Sequence, residues 1–284
     1  MKTCDLHTHS IYSDGTLTPE ELINLAVEEG LSAVALTDHD SIDGLPEFLK
    51  AAEGKEITAV PGVEFSVDYS GKELHLLALF IPEAAFGMLS EFTSVIKTHK
   101  EKNRIDLITA LNRDGYKIDG EKIKNRTPNG NFNRAHVAAE LVEQGYANSI
   151  KEAFSTLLSP AAGYYKEPER PNIFKMLTFI KEIGAVSVLA HPLLNINEYM
   201  LEDFLPKGKA YGLAGIECFY SEYDEQQTKK SIAFADRYGL KYSGGSDFHG
   251  DNKKTISLGR GKGNLSIPYS IAENLAKAFK PEPA

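Results

Sequence analysis

Hydrophobic residues in this chain gather into seven short runs of strand-forming composition: "KTCDLH", "SAVALT", "ITAVPGVEF", "ELHLLALFI", "AVSVLAH", "LAGIECFY" and "LKYSGGS". Several of the stretches between them carry the helical period instead. "TPEELINLAVEEGL" predicts a helix with Thr18 as N-cap, Pro19 at its first position, Glu21 closing a capping box and Gly30 as the stop. "NIFKMLTFIKEIGA" and "DEQQTKKSIAFADRYGL" predict two more, each ending near a glycine. Strands alternating with helices predict a mostly parallel sheet, open or closed into a barrel.

From about Phe86 to Pro171 that rhythm stops. "SEFTSVIKTHKEKNRIDLITALNRDGY", "NRAHVAAELVEQGY" and "SIKEAFSTLL" read as helices, with a polar segment "NRTPNGNFN" between the first two and no β-run among them. Residues 100–165 are therefore expected to form a helical insertion, carried by a barrel-like body made of residues 1–99 and 166–284.

The polar residues that follow the strand runs form a second pattern. "CDLHTHSIYSDGT" places His7 and His9 two residues apart, so an extended backbone sends both to one face, with Asp14 returning on the next loop. A surface strand with two incidental histidines would look the same, so the rest of the chain decides. "AVAL" leads into Asp38-His39-Asp40, "ITAVPGV" into Glu64, "AVSVLA" into His191-Pro192, and "YSGG" into Ser246-Asp247-Phe248-His249. In a (β/α) barrel such strand ends converge on one face. His75 is the exception, because it enters early in its run. Six histidines (His7, His9, His39, His75, His191, His249) and three carboxylates (Asp14, Glu64, Asp247) make a ligand set suited to Zn, Mn or Fe. Nine groups exceed the four to six that one ion takes, so more than one ion is expected, and Glu64 could bridge two.

Composition narrows the choice of substrate. The net charge of −9 argues against a protein that neutralises many phosphates of a duplex. Three divalent ions facing three carboxylates would still leave the cavity net positive, as an anionic substrate requires. The chain lacks the basic and long apolar regions of a signal peptide and any apolar run long enough to span a membrane, so a cytoplasmic location is expected. The two cysteines, Cys4 and Cys218, lie in apolar runs and are expected in the core rather than as nucleophiles.

The motifs "DLHTHSIYSDGTLTPEEL", "ALTDHDSIDG", "GVEFS", Leu74-His75, "LAHP" and "GSDFH" together resemble the PHP family, named from polymerase and histidinol phosphatase domains. Within it the chain is most similar to stand-alone members that hydrolyse nucleotide phosphoesters. The resemblance implies an α/β fold, a distorted (β/α)7 barrel with a helical insertion domain serving as a substrate lid, and three divalent ions (Mn, Fe or Zn). Carried over by motif, it implies that His7, His9, Glu64 and Asp247 hold one ion, that Glu64, His75 and His191 hold a second, and that Asp14, His39 and His249 hold a third. It also implies that His191, Asp247 and Glu64 serve metal-hydroxide activation, and that Arg134 and His136 in "FNRAHVAAELVEQGY" grip substrate phosphate. Lys166 stands where many relatives carry an apolar residue. Asp5 and Asp38, which flank ligand positions, and Glu217, at the end of "AGIE", are expected to orient imidazoles.

The expected activity is hydrolysis of the phosphomonoester of a nucleoside 3′,5′-bisphosphate or of a short RNA 5′ end. The partner is then a small phosphorylated substrate, with no duplex nucleic acid and no membrane. Histidinol phosphate, another small phosphate ester or a cyclic diester are alternative substrates for the same chemistry. A non-catalytic metal-binding accessory module and a hydrolase of carbon–nitrogen bonds are the alternatives of other classes.

Overall fold

A computed structural model describes residues 2–126, 132, 134–166 and 168–278. Most of "NRTPNGNFN" lies outside them. The chain divides into two compact units, one of residues 1–91 and 170–284 and one of residues 92–169.

The first unit is built on seven strands: β1 (Cys4–Asp5), β2 (Ala33–Leu36), β3 (Thr58–Tyr69), β4 (Lys72–Leu79), β5 (Val186–Ala190), β6 (Gly215–Tyr220) and β7 (Lys241–Gly245). They neighbour one another in chain order. The ring is nearly closed, since Leu6 N–H donates to the Gly244 carbonyl at 3.1 Å and Thr8 bridges Phe248 in parallel. Eleven helices are described across the two units: α1 (Pro19–Glu28), α2 (Leu45–Ala52), α3 (Phe86–Arg113), α4 (Gly120–Arg126), α5 (Arg134–Glu143), α6 (Ile150–Ser155), α7 (Ile173–Glu182), α8 (Pro192–Asn195), α9 (Glu198–Ala210), α10 (Glu225–Tyr238) and α11 (Tyr269–Lys277).

Local chemistry explains where the long helices begin. The Thr18 side chain caps α1 and Glu21 reaches back to the Thr18 N–H, completing the expected capping box. Asn172 caps α7, and Asp224 with Gln227 forms a second capping box on α10, which ends at Gly239 in the left-handed region. Within the ring, Leu6, Ala35, Val60, Leu77, Val188 and Ile267 belong to one buried cluster. Cys4, which belongs to that cluster, and Cys218 are both fully buried, and burial pushes the Cys4 thiol up to about 12. Neither is a nucleophile at neutral pH.

The sheet is mostly parallel, as expected, with one strand reversed. β4 pairs antiparallel with both β3 and β5, while the other neighbouring pairs are parallel. The cause is a two-residue hairpin: Tyr69 pairs with Lys72, and Ser70 and Gly71 between them have φ values of 52° and 77°. Two successive positive φ values make the tight turn whose twist matches that of its flanking strands.

The second unit is helical, formed by the greater part of α3 with α4, α5 and α6. Leu107, Leu111, Val137, Leu141 and Leu158 fill its core. Buried Glu140 is satisfied there by Lys122 at 2.8 Å and Gln144 at 2.9 Å. Among the described residues, no helix is long and apolar enough to cross a membrane.

Candidate metal centre

The first unit brings all nine sequence-derived candidates to one place, although Glu64, expected to follow its strand, lies in the middle of β3 because that strand runs on to Tyr69, and Asp14 lies on a turn. β1 is only two residues long, so His7 and His9 lie beyond it on an extended segment rather than within a strand. His39 follows β2 and bridges Glu64 in parallel register. His191 follows β5, and Asp247 and His249 follow β7. Because β4 is reversed, its first residues lie where the other strands end: His75 pairs with Ser66 on one side and Ala190 on the other. The histidine that broke the strand-end pattern thus belongs to the cluster for a topological reason.

Glu64 is the hub. Its Oε2 lies 3.1 Å from His7 Nε2, 3.3 Å from His9 Nε2 and 3.1 Å from His39 Nδ1. Its Oε1 lies 2.9 Å from His75 Nδ1 and 3.2 Å from His191 Nε2. Five imidazole nitrogens on one fully buried carboxylate exceed what hydrogen bonding would organise. Asp247 Oδ1 lies 3.2 Å from His9 Nε2, 3.4 Å from His249 Nδ1 and 3.7 Å from His7 Nε2. Asp14 Oδ1 lies 3.2 Å from His249 Nε2 and 3.9 Å from His39 Nε2. His9 faces three carboxylates (Asp14, Glu64 and Asp247) and His39 two (Asp14 and Glu64), so the ligands form a continuous net rather than three separate sets.

These residues fit divalent cations. The buried atoms His7 Nε2, His9 Nε2, His39 Nδ1, His75 Nδ1, Asp14 Oδ1 and Glu64 Oε2 make no hydrogen bond, despite their close approaches. Donors held about 2.0–2.2 Å from one ion lie roughly 3–3.5 Å apart, which is the spacing seen here. Orphaned donors and acceptors are rare in folded interiors, and six facing one another call for cations between them.

Neighbouring groups fix the rings. His7 Nδ1–H donates to Glu217 Oε1 at 3.1 Å, while Glu217 Oε2 accepts the His191 backbone N–H at 2.8 Å. His249 Nδ1–H donates to the Asp247 carbonyl at 2.8 Å, and His191 Nδ1 lies 2.8 Å from Asn195 Oδ1. Each of these contacts leaves the other ring nitrogen facing a carboxylate, which sets the tautomer a metal ligand needs. Glu217 therefore orients an imidazole as expected.

Asp38 reaches the His9 ring through Ser13, whose hydroxyl lies 3.4 Å from His9 Nδ1 and donates to Asp38, whereas among the described residues Asp5 meets no imidazole. Asp5 accepts from the N–H groups of Ser246 and Gly259, both at 2.8 Å, and Asp38 accepts from Ser10 N–H at 2.7 Å and from the Ser10 and Ser13 hydroxyls at 2.6 Å. They tie down the loop backbones that carry the ligands. Two site residues, His191 (φ 26°) and Asp247 (φ 57°), sit in the left-handed region, a strained backbone that such surrounding bonds sustain. A Cβ on Gly245 would fall 2.3 Å from His7 Cβ, so glycine is required for β7 to pass this ligand.

The protonation pattern follows from the geometry. Burial pulls His9 down, but Asp247 and Glu64 outweigh it and raise the ring to about 9. In His75 Glu64 and Glu73 overcome the same burial and raise the ring to about 10. In His39 burial wins and holds it to about 3. Against burial, the surrounding histidines keep Glu64 and Asp14 below the usual carboxylate range.

Two contacts went unread in the sequence. Tyr220 hydroxyl donates to Asp247 Oδ2 at 2.8 Å, and Lys253 Nζ donates to the same oxygen at 2.6 Å. Tyr220 ends β6, so the strand-end rule could have found it. Lys253 lies in the charged run "GDNKK" and carries no such signal.

Arg134 and His136 open α5 in the helical unit. The Arg134 guanidinium stands 4.0 Å from the Tyr165 ring centre and 4.9 Å from that of Phe154. Lys166 is exposed.

The PHP domain family matches residues 5–166. A 5′-3′ exoribonuclease of Haemophilus influenzae is 31% identical over 251 residues, covering 87% of this chain and 90% of that one. A 3′,5′-nucleoside bisphosphate phosphatase of Chromobacterium violaceum is 31% identical over 252 residues, covering 88% of each. A solved structure described as an amidohydrolase from Chromobacterium violaceum, with bound sulfate and no metal, has a TM-score of 0.81 at 28% identity and covers 97% of this chain and 96% of that one.

Proposed function

The chain belongs to the PHP-domain family, and from that premise we propose that it is a metal-dependent phosphoesterase releasing phosphate from a nucleotide, either a nucleoside 3′,5′-bisphosphate or the 5′ end of a short RNA. The observation that carries this reading is Glu64, one buried carboxylate ringed by five imidazole nitrogens. Such a hub suits several cations sharing a ligand, and a phosphoryl group is the substrate that several adjacent cations serve best.

The nine residues His7, His9, Asp14, His39, Glu64, His75, His191, Asp247 and His249 would hold divalent ions, three of them in this reading, of Mn, Fe or Zn. Bound there, such ions polarise phosphoryl oxygens and make hydroxide available near neutral pH. Glu64, with an oxygen toward each group of imidazoles, keeps the two groups in register. Glu217 accepts from His7 Nδ1–H, which turns Nε2 inward toward Glu64. His191 and Asp247, fixed on strained backbone, present a nitrogen and an oxygen without having to reorganise during turnover. Arg134 suits a phosphate other than the one released, because its planar fork can bind two phosphate oxygens; His136 would assist it.

A screen of the Mn²⁺-loaded protein tests the reading. Phosphate should be released from nucleoside 3′,5′-bisphosphates or 5′-phosphorylated oligoribonucleotides faster than from histidinol phosphate, and faster than a cyclic phosphodiester is opened to its monoester, with no turnover of amides. Faster turnover of an amide would overturn it.

A further inference from the structure

Asp247 uses its two oxygens differently. Oδ1 faces the imidazoles of His7, His9 and His249. Oδ2 points the other way, toward the Tyr220 hydroxyl at 2.8 Å and the Lys253 ammonium at 2.6 Å. Tyr220 is buried, and its hydroxyl donates to Oδ2. Lys253 is partly exposed at the end of the short helical turn 250–253 that follows β7.

We propose that Lys253 and Tyr220 are positioning residues that reserve the second oxygen of Asp247, so that this residue offers the metal centre one oxygen rather than two. This rests on Asp247 being a metal ligand. A carboxylate with both oxygens free can grip a divalent ion with both and fill a coordination position that water or substrate needs. Two donors on Oδ2 prevent that rotation. Lys253 also places a positive charge beside the ligand, which weakens cation binding while it stands there. The pair thus exchanges metal affinity for an open position.

That exchange gives a signature that a structural role would not produce. Lys253→Met should bind Mn²⁺ about 3- to 10-fold more tightly while kcat falls at least about 10-fold and KM changes less than 2-fold. Lys253→Arg, which keeps a cationic donor, should recover most of kcat and return the affinity toward that of the unmodified protein. Tyr220→Phe, which keeps the buried ring, should lower kcat without weakening Mn²⁺ binding.

The experiment is titration of the chelator-treated full chain with Mn²⁺, paired with steady-state kinetics on a nucleoside 3′,5′-bisphosphate and on p-nitrophenyl phosphate. Weaker Mn²⁺ binding in Lys253→Met, or a rise in KM with kcat unchanged, would overturn the proposal, the latter marking Lys253 as a substrate contact. Asp247→Asn, titrated alongside, separates this outcome from failure of the underlying reading. If Asp247→Asn binds Mn²⁺ as the unmodified protein does, Asp247 is not a ligand. If it binds poorly while Lys253→Met binds weakly too, the positioning role alone is wrong.

Discussion

The Nδ1 atom of His7 lies 3.1 Å from Oε1 of Glu217, and both side chains are wholly buried. On its far side the same ring presents Nε2 to Glu64 at 3.1 Å. A carboxylate behind an imidazole fixes the tautomer and raises the basicity of the inward nitrogen. Glu217→Gln should therefore lower Mn²⁺ affinity about 10- to 100-fold while the fold persists, as measured by metal titration and circular dichroism.

Asp247→Ala removes the inward oxygen itself. Turnover should fall by more than the 10- to 100-fold typical of a lost supporting partner, with the thermal transition of the chelated protein retained. A variant with full activity would remove Asp247 from the site.

Proton linkage gives a prediction with a definite sign. Without metal, His9 and His75 are raised to about 9 and about 10, above the roughly 6.5 of an unfolded histidine. A raised folded value adds stability below about pH 6.5 that is lost as pH climbs through 9–10. The melting temperature of the chelated protein should accordingly drop between pH 6.5 and 10. Metal must also displace these protons, so calorimetric titration at pH 7.5 in buffers of different ionisation heat should register net proton release.

Gly245→Ala should damage both fold and centre. The new methyl would meet His7 Cβ at 2.3 Å and His7 N at 2.5 Å, with no flexible side chain to yield. An overpacking cost of about 1–3 kcal/mol and weakened metal binding are expected, read by denaturant melts and metal titration.

Arg134→Ala addresses substrate choice. KM for a nucleoside 3′,5′-bisphosphate should rise several-fold more than KM for p-nitrophenyl phosphate. An equal effect on both would remove Arg134 from recognition of a second phosphate.

Much of the centre was legible because metal ligands are chemically distinctive and strand ends are readable from hydrophobic runs. His39, His191 and His249 each follow such a run directly. His75 was legible as a ligand type but not as a strand-end residue, because the reversal of β4 turns on a two-residue hairpin at Ser70-Gly71, between two long runs that also suit parallel strands. The role of Asp5 was misread for a related reason. Adjacency in sequence to a ligand does not say whether a carboxylate faces a ring or a loop backbone, and Asp5 faces the backbone while Asp38 reaches the His9 ring through Ser13. Lys253 could not be found at all, since its contact with Asp247 depends on how the segment after β7 turns.

Elemental analysis of the protein after reconstitution with excess Mn²⁺ and removal of loosely bound metal bears most directly on the shared-carboxylate centre around Glu64. Two to three ions per chain should be retained, falling sharply in Glu64→Gln. Retention of at most one ion per chain, or a count indifferent to Glu64→Gln, would contradict it.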